Sequence, residues 1–154
     1  MKYNYKGLTL IELLTVISMI TITAAITAPS FAAIKRGAGL NNTAQEIVST
    51  LRVAQNKAIS SQRPVGNTLD PLNYGVHFEG GTYTLFYGND WATATNKEIH
   101  QLPDGTTVCA GSATDMIFNR LDGIPASAGT VTVGIDCAGS TVRTISIALS
   151  GTIQ

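Results

Sequence analysis

From Leu13 to Ile34 the chain runs for about twenty residues without a charged side chain, which at 1.5 Å rise per residue matches the roughly 30 Å hydrocarbon thickness of a bilayer. The run predicts a long helix whose first half spans a membrane. A secretory signal peptide has a shorter apolar region, about 7 to 15 residues, although Ala24, Ala25 and Ala28 offer a small-residue site of that kind. Pro29 lies deep in the stretch and removes one backbone hydrogen bond, which predicts a kink, or a helix that stops near Ala28 and resumes after it. Thr15, Ser18, Thr21, Thr23 and Thr27 can bond back to carbonyls of the preceding turn, so their hydroxyls do not mark a polar channel.

Lys35, Arg36, Gly37 and Gly39 end the apolar run, and Asn41, Asn42 or Thr43 can cap a renewed helical stretch ahead of Glu46. Ala44, Ile47, Val48, Leu51, Ala54 and Ala58 then recur at spacings of three and four, opposite Glu46, Arg52, Gln55 and Lys57. This second half is amphipathic and should lay its apolar face under a sheet. After Pro64 the pattern turns to short alternating runs broken by Gly, Asn and Asp, as antiparallel strands require. Tyr74 to Phe78 and Tyr83 to Tyr87 read as a hairpin turned at Glu79-Gly80-Gly81; further strands are expected near Lys97 to Leu102, Thr106 to Ala110, Asp115 to Asn119, Val131 to Ile135 and Arg143 to Leu149. The expected fold is α+β, a long N-terminal helix packed on a small antiparallel β head.

Composition sharpens this picture in two places. Ten basic and ten acidic residues cancel, so there is no general electrostatic case for nucleic acid or an anionic surface. The charged fraction of 13% is low, about half that of an ordinary soluble domain, and Glu12 is the single ionisable side chain between Leu8 and Ile34. A carboxylate near the start of an apolar helix is explained by the positive helix end or by snorkelling toward headgroups.

Catalytic chemistry has little to stand on. His77 and His100 are far apart in sequence with no convincing partners, and no nucleophile elbow, phosphate-cradling glycine loop or metal-ligand cluster is present. No enzyme activity, cofactor or metal is expected. Glu79, Asp90, Glu98, Asp104, Asp115, Asp122 and Asp136 mostly sit beside Gly or Asn, where short polar side chains serve turns. Trp91, beside Asn89 and Asp90, reads either as an exposed contact residue or as packing against the edge of the head.

The segment Met1-Lys2-Tyr3-Asn4-Tyr5-Lys6-Gly7, followed by Leu8-Thr9-Leu10-Ile11-Glu12-Leu13-Leu14, resembles the type III signal of type IV prepilins and pseudopilins. The resemblance implies cleavage after Gly7 by a prepilin peptidase, methylation of the new amino terminus at Leu8, and pairing of that cation with Glu12 of the same or a neighbouring subunit. The family's usual first mature residue is Phe; here it is Leu8. Pro29 matches the helix kink of many pilins. The expected organisation is a leader at 1–7, a transmembrane and filament-core helix at 8–36, its amphipathic continuation at 37–62, and a β head at 63–154. The topology puts Cys109 and Cys137 on the oxidising side, where one disulfide is expected, the alternative being two buried thiols.

Leu51-Arg52-Val53-Ala54-Gln55-Asn56-Lys57-Ala58-Ile59 with Gln62-Arg63-Pro64-Val65, then Phe118-Asn119-Arg120-Leu121-Asp122-Gly123 and the closing Ile145 to Ile153, resemble the GspH/FimT group of minor pilins and pseudopilins. This implies a structural subunit of a type IV pilus or a type II secretion pseudopilus. Its implied partners are other pilins or pseudopilins, the prepilin peptidase, an inner-membrane assembly platform, and membrane lipid before assembly. The implied location is single-pass in the bacterial cytoplasmic membrane with the head outside, then in the filament. DNA binding of the FimT kind is the alternative, but Gly151-Thr152-Ile153-Gln154 lacks the arginines of that group's tail, leaving Arg63, Lys97, Arg120 and Arg143 as scattered candidates.

Overall fold

The computed structural model describes residues 7, 9–66, 72–139 and 141–154, without the side chains of 27–34 and 36. Helix α1 runs from Leu10 to Ile59, and the strands are β1 (Tyr74–Glu79), β2 (Thr82–Tyr87), β3 (Asn96–Gln101), β4 (Thr107–Val108), β5 (Asp115–Phe118), β6 (Gly129–Gly134) and β7 (Val142–Ile147). Every strand pair is antiparallel, in a four-stranded sheet β3-β2-β1-β5 and a three-stranded sheet β4-β6-β7. The fold is α+β. The chain divides into two compact units, Met1–Gly37 and Ala38–Gln154.

In the first unit, the helix exposes apolar side chains on every side. Leu10, Leu13, Ile17, Met19, Ile20, Ile22 and Ile26 are each more than half exposed. Four of the expected hydroxyl back-bonds form: Thr15 donates to Glu12 O, Ser18 to Leu14 O, Thr21 to Ile17 O and Thr23 to Met19 O; the side chain of Thr27 lies outside those described. The expectation of a membrane span is corrected. Among the described residues no helix is long and apolar enough to cross a membrane, so single-pass anchoring and a transmembrane first half are not supported. Thr15, Ser18, Thr21 and Thr23 interrupt the described apolar side chains between Leu13 and Ile26. Pro29 lies among the residues whose side chains are outside those described.

The second unit, the head, holds the core. Leu40, Ile47, Leu51, Ala54 and Ala58 form one fully buried stripe of α1, at the three-and-four spacing that keeps residues on one helix face. Tyr74, Val76 and Phe78 of β1, Leu85 and Tyr87 of β2, Met116 and Phe118 of β5, Val131 and Val133 of β6, and Ile145 and Ile147 of β7 belong to the same buried cluster. The β1–β2 hairpin turns on Gly80-Gly81, with Glu79 paired to Thr82 and Gly80 at φ 52°. A two-residue loop needs the left-handed backbone that glycine supplies without strain. The chain closes on itself: Ser146 and Gln154 exchange backbone hydrogen bonds at 2.8 and 3.0 Å beside β7. The helix end is held by the Leu121 N–H donating to Ala58 O at 3.2 Å, with Leu121 itself at φ 79°.

Candidate functional site

The start of α1 is built by Thr9 and Glu12. The Thr9 backbone N–H and hydroxyl donate to Glu12 Oε2, and the Glu12 N–H donates to Thr9 Oγ1, all at 3.3 Å. This is a capping box, Thr at the cap and Glu three residues later, satisfying otherwise orphaned helix N–H groups from both directions. The Thr9-x-x-Glu12 spacing was legible in the sequence, where the reading of Glu12 rested on its charge alone. Gly7 is exposed, and a Cβ added to it would meet nothing within 4 Å. Leu8 lies outside the described residues.

On the head, the outer face of the larger sheet carries a cluster that corrects the reading of His77 as a histidine without a partner. His77 is 8% exposed, its Nδ1 is 2.8 Å from Asp115 Oδ1 and its Nε2 is 3.7 Å from Glu79 Oε2. A carboxylate only accepts, so Nδ1 carries the proton and donates to Asp115. Trp91 stacks flat on the imidazole, centroids 4.1 Å apart and planes at 3°. Phe86 meets Trp91 edge-on at 5.7 Å, and the Lys97 ammonium lies 3.8 Å from the Trp91 ring centroid on a cation–π contact. Gly75 makes room for this arrangement, since a Cβ there would stand 2.4 Å from Phe86 Cζ. Trp91 is therefore a packing residue.

His100 stacks on Tyr83 with centroids 4.9 Å apart and planes at 5°. Burial pushes the Tyr83 phenol up to about 12, with the neighbouring Glu46 carboxylate acting in the same direction. Burial and then Tyr87 push Tyr74 upward as well. Cys109 and Cys137 are joined as a disulfide across 28 residues. Among the described residues no group of three or more His, Cys, Asp or Glu side chains is placed to hold a metal ion.

Clefts open on the head among the described residues. One, of about 350 Å³, is lined by Lys57, Arg63, Tyr74, Tyr87, Lys97 and Glu98 among others. Another, of about 610 Å³, lies along Val48, Arg52, Asn56, Arg143, Thr144 and Gln154. Of the scattered cations noted in the sequence, Arg63 and Lys97 thus share one cleft and Arg143 lines the other, its Nε donating to Asn41 Oδ1. Arg120 lines neither.

The sequence reading also missed Gln55, placed on the polar face of the helix. Its Nε2 donates to Gly123 O at 3.0 Å and to Gly151 O at 3.1 Å, tying α1 to the loop after β5 and to the C-terminal turn. Nothing in periodicity marks such a residue, because both acceptors are backbone carbonyls of distant loops.

No curated protein and no solved structure gives a significant match to this chain. The model of the family described as type II transport protein GspH does match, over residues 43–151. That span takes in most of the amphipathic part of α1, both sheets and both cysteines. With well over half of its length matched, and with a helix-on-antiparallel-sheet head of the kind its sequence anticipated, this chain belongs to the type II transport protein GspH family.

Proposed function

We propose that this protein enters its filament after cleavage between Gly7 and Leu8 and methylation at Leu8, with Glu12 pairing the new amino terminus of its own or an adjacent subunit. Membership of the GspH family gives the coarser role, that of a pseudopilin or minor pilin assembling with other such subunits in a filament. The observation that carries the finer reading is the apolar surface exposed all round α1 from Leu10 to Ile26, directly after a capped helix start bearing one carboxylate. An apolar surface of that extent marks an interaction site. Side-by-side packing of such helices would bury it, and the lone carboxylate would then favour the one register that brings a cation to it.

The capping box supplies a clean test. Glu12→Gln keeps the cap, since glutamine serves at that position as well as glutamate, and removes only the charge. Cleavage should persist while incorporation into filaments falls; equal incorporation of Glu12→Gln would refute the charge pairing. Mass spectrometry of the mature chain should find Leu8, methylated, as its first residue, and Gly7→Val should leave the precursor uncut.

A second reading, DNA capture, rests on the cleft that gathers Lys57, Arg63 and Lys97 with Tyr74 and Tyr87 against Glu98 alone. Three cations gathered around a single carboxylate suit a phosphate backbone. Salt-sensitive binding in a gel-shift titration, lost in Arg63→Ala, would establish it; no shift at low salt would remove it.

A further inference from the structure

Strand β3 stands at the edge of the larger sheet, and among the described residues β2 is its only strand partner. The Leu102 N–H donates to Gly81 O, which fixes the alternation along the β2–β3 ladder: Glu98 and His100 direct their main-chain groups to β2. Lys97, Ile99 and Gln101 direct theirs outward. An edge of this kind is a template for another strand, and proteins usually guard it with a lysine. Here that guard is folded back, the Lys97 ammonium lying over the Trp91 ring. Ile99, in the middle of the strand, is 66% exposed.

We propose that β3 is the docking edge for a second copy of this chain, the two β3 strands running antiparallel about a twofold axis through Ile99. The residues of the strand select both the partner and the register. Centred on Ile99, the pairing sets Ile99 against its own copy, Lys97 against Gln101, and Glu98 against His100 twice over. The outward main-chain groups of Lys97, Ile99 and Gln101 then all find partners, and Glu98 meets His100 at the closer, non-hydrogen-bonded positions. Centring on Lys97 or Glu98 instead opposes like charges directly. Centring on His100 opposes two histidines, and centring on Gln101 brings Pro103 into the ladder, which has no N–H to give. Within one chain Glu98 and His100 already lie 3.6 Å apart, so the twofold arrangement closes a ring of alternating acid and imidazole.

The test uses the full chain, whose native cysteines are both bridged. Residues opposed in a hydrogen-bonded antiparallel pair have Cα atoms about 5.5 Å apart, within disulfide range. Under mild oxidation Ile99→Cys should cross-link to its own copy about tenfold more than Lys97→Cys or Gln101→Cys, a preference of about 1.4 kcal/mol and the size expected from a few favourable cross-strand pairs. A mixture of Lys97→Cys and Gln101→Cys should cross-link where neither does alone. All three positions are exposed, and unchanged Trp91 fluorescence in the Ile99→Cys and Gln101→Cys variants would confirm that the fold is kept. Equal yields at the three positions, or a mixture no better than its components, would overturn the proposal.

Discussion

Gln55 offers the sharpest test of how the head is held together. Replacing it with methionine keeps a similar shape and removes both N–H donors, leaving Gly123 O and Gly151 O without the partner each has at 3.0 and 3.1 Å. Each such bond contributes about 1 kcal/mol net, more where the abandoned carbonyl is buried. Gly123 is buried and Gly151 is half-buried, so water replaces the donor more readily at Gly151. The expected loss is therefore about 2 kcal/mol, which at about 4 °C per kcal/mol lowers the melting temperature by about 8 °C for a head of this size. Gln55→Glu should lose more, because it sets carboxylate oxygens against two carbonyl oxygens. Urea unfolding followed by the fluorescence of Trp91, the single tryptophan, measures both variants. The slope should stay constant while the midpoint falls. A loss below about 0.5 kcal/mol, the range of ordinary surface substitutions, would show that the clamp is not what ties the helix to the two loops.

Replacing Cys109 and Cys137 together by serine opens a loop of 28 residues and should remove roughly 3 to 4 kcal/mol; reductant should destabilise the native chain and leave the double variant unchanged. Gly75→Ala should destabilise the head by about 1 to 3 kcal/mol through overpacking and shift Trp91 emission, because the new Cβ would meet the Phe86 ring at 2.4 Å; an unshifted spectrum would contradict this. Tyr83 ionises at about 12 in the folded head against 10.0 ordinarily. The folded state thus holds that proton more tightly than the unfolded chain, so stability should be level below pH 10 and fall between pH 10 and 12. Tyr83→Phe should flatten that fall, Tyr74 leaving a smaller one; an identical pH profile in the variant would refute the assignment.

The strand pattern and the buried helix stripe were legible because both are repeats of local geometry. An alternating run such as Tyr74 to Phe78 has one face to bury whichever partner it finds, and Ile47, Leu51, Ala54 and Ala58 line one side of a helix under any sheet. The pairing of Cys109 with Cys137 was similarly open to reading, since two cysteines leave one possible bridge. The Thr9-Glu12 cap was equally local, yet the unusual charge of Glu12 drew the reading toward a distant partner.

What sequence spacing could not decide were contacts made across elements. His77 and Asp115 lie 38 residues apart and meet only because β1 and β5 are neighbours in that register. Trp91 becomes the lid of His77 because Gly75 lets Phe86 lie flat enough to receive it. Gln55 has the composition and position of a solvent-facing residue, and becomes a clamp once the loops at Gly123 and Gly151 fold over the helix. The membrane span failed for a different reason. Length and hydrophobicity in the sequence allowed it, whereas among the described residues, where hydroxyls interrupt the apolar run, no helix is long and apolar enough to cross a membrane. The amino-acid order thus determined the elements, because those depend on neighbours a few residues away; the partners of the polar side chains were settled by tertiary structure, because a hydrogen bond or ring stack needs two groups whose separation along the chain carries no periodic signal.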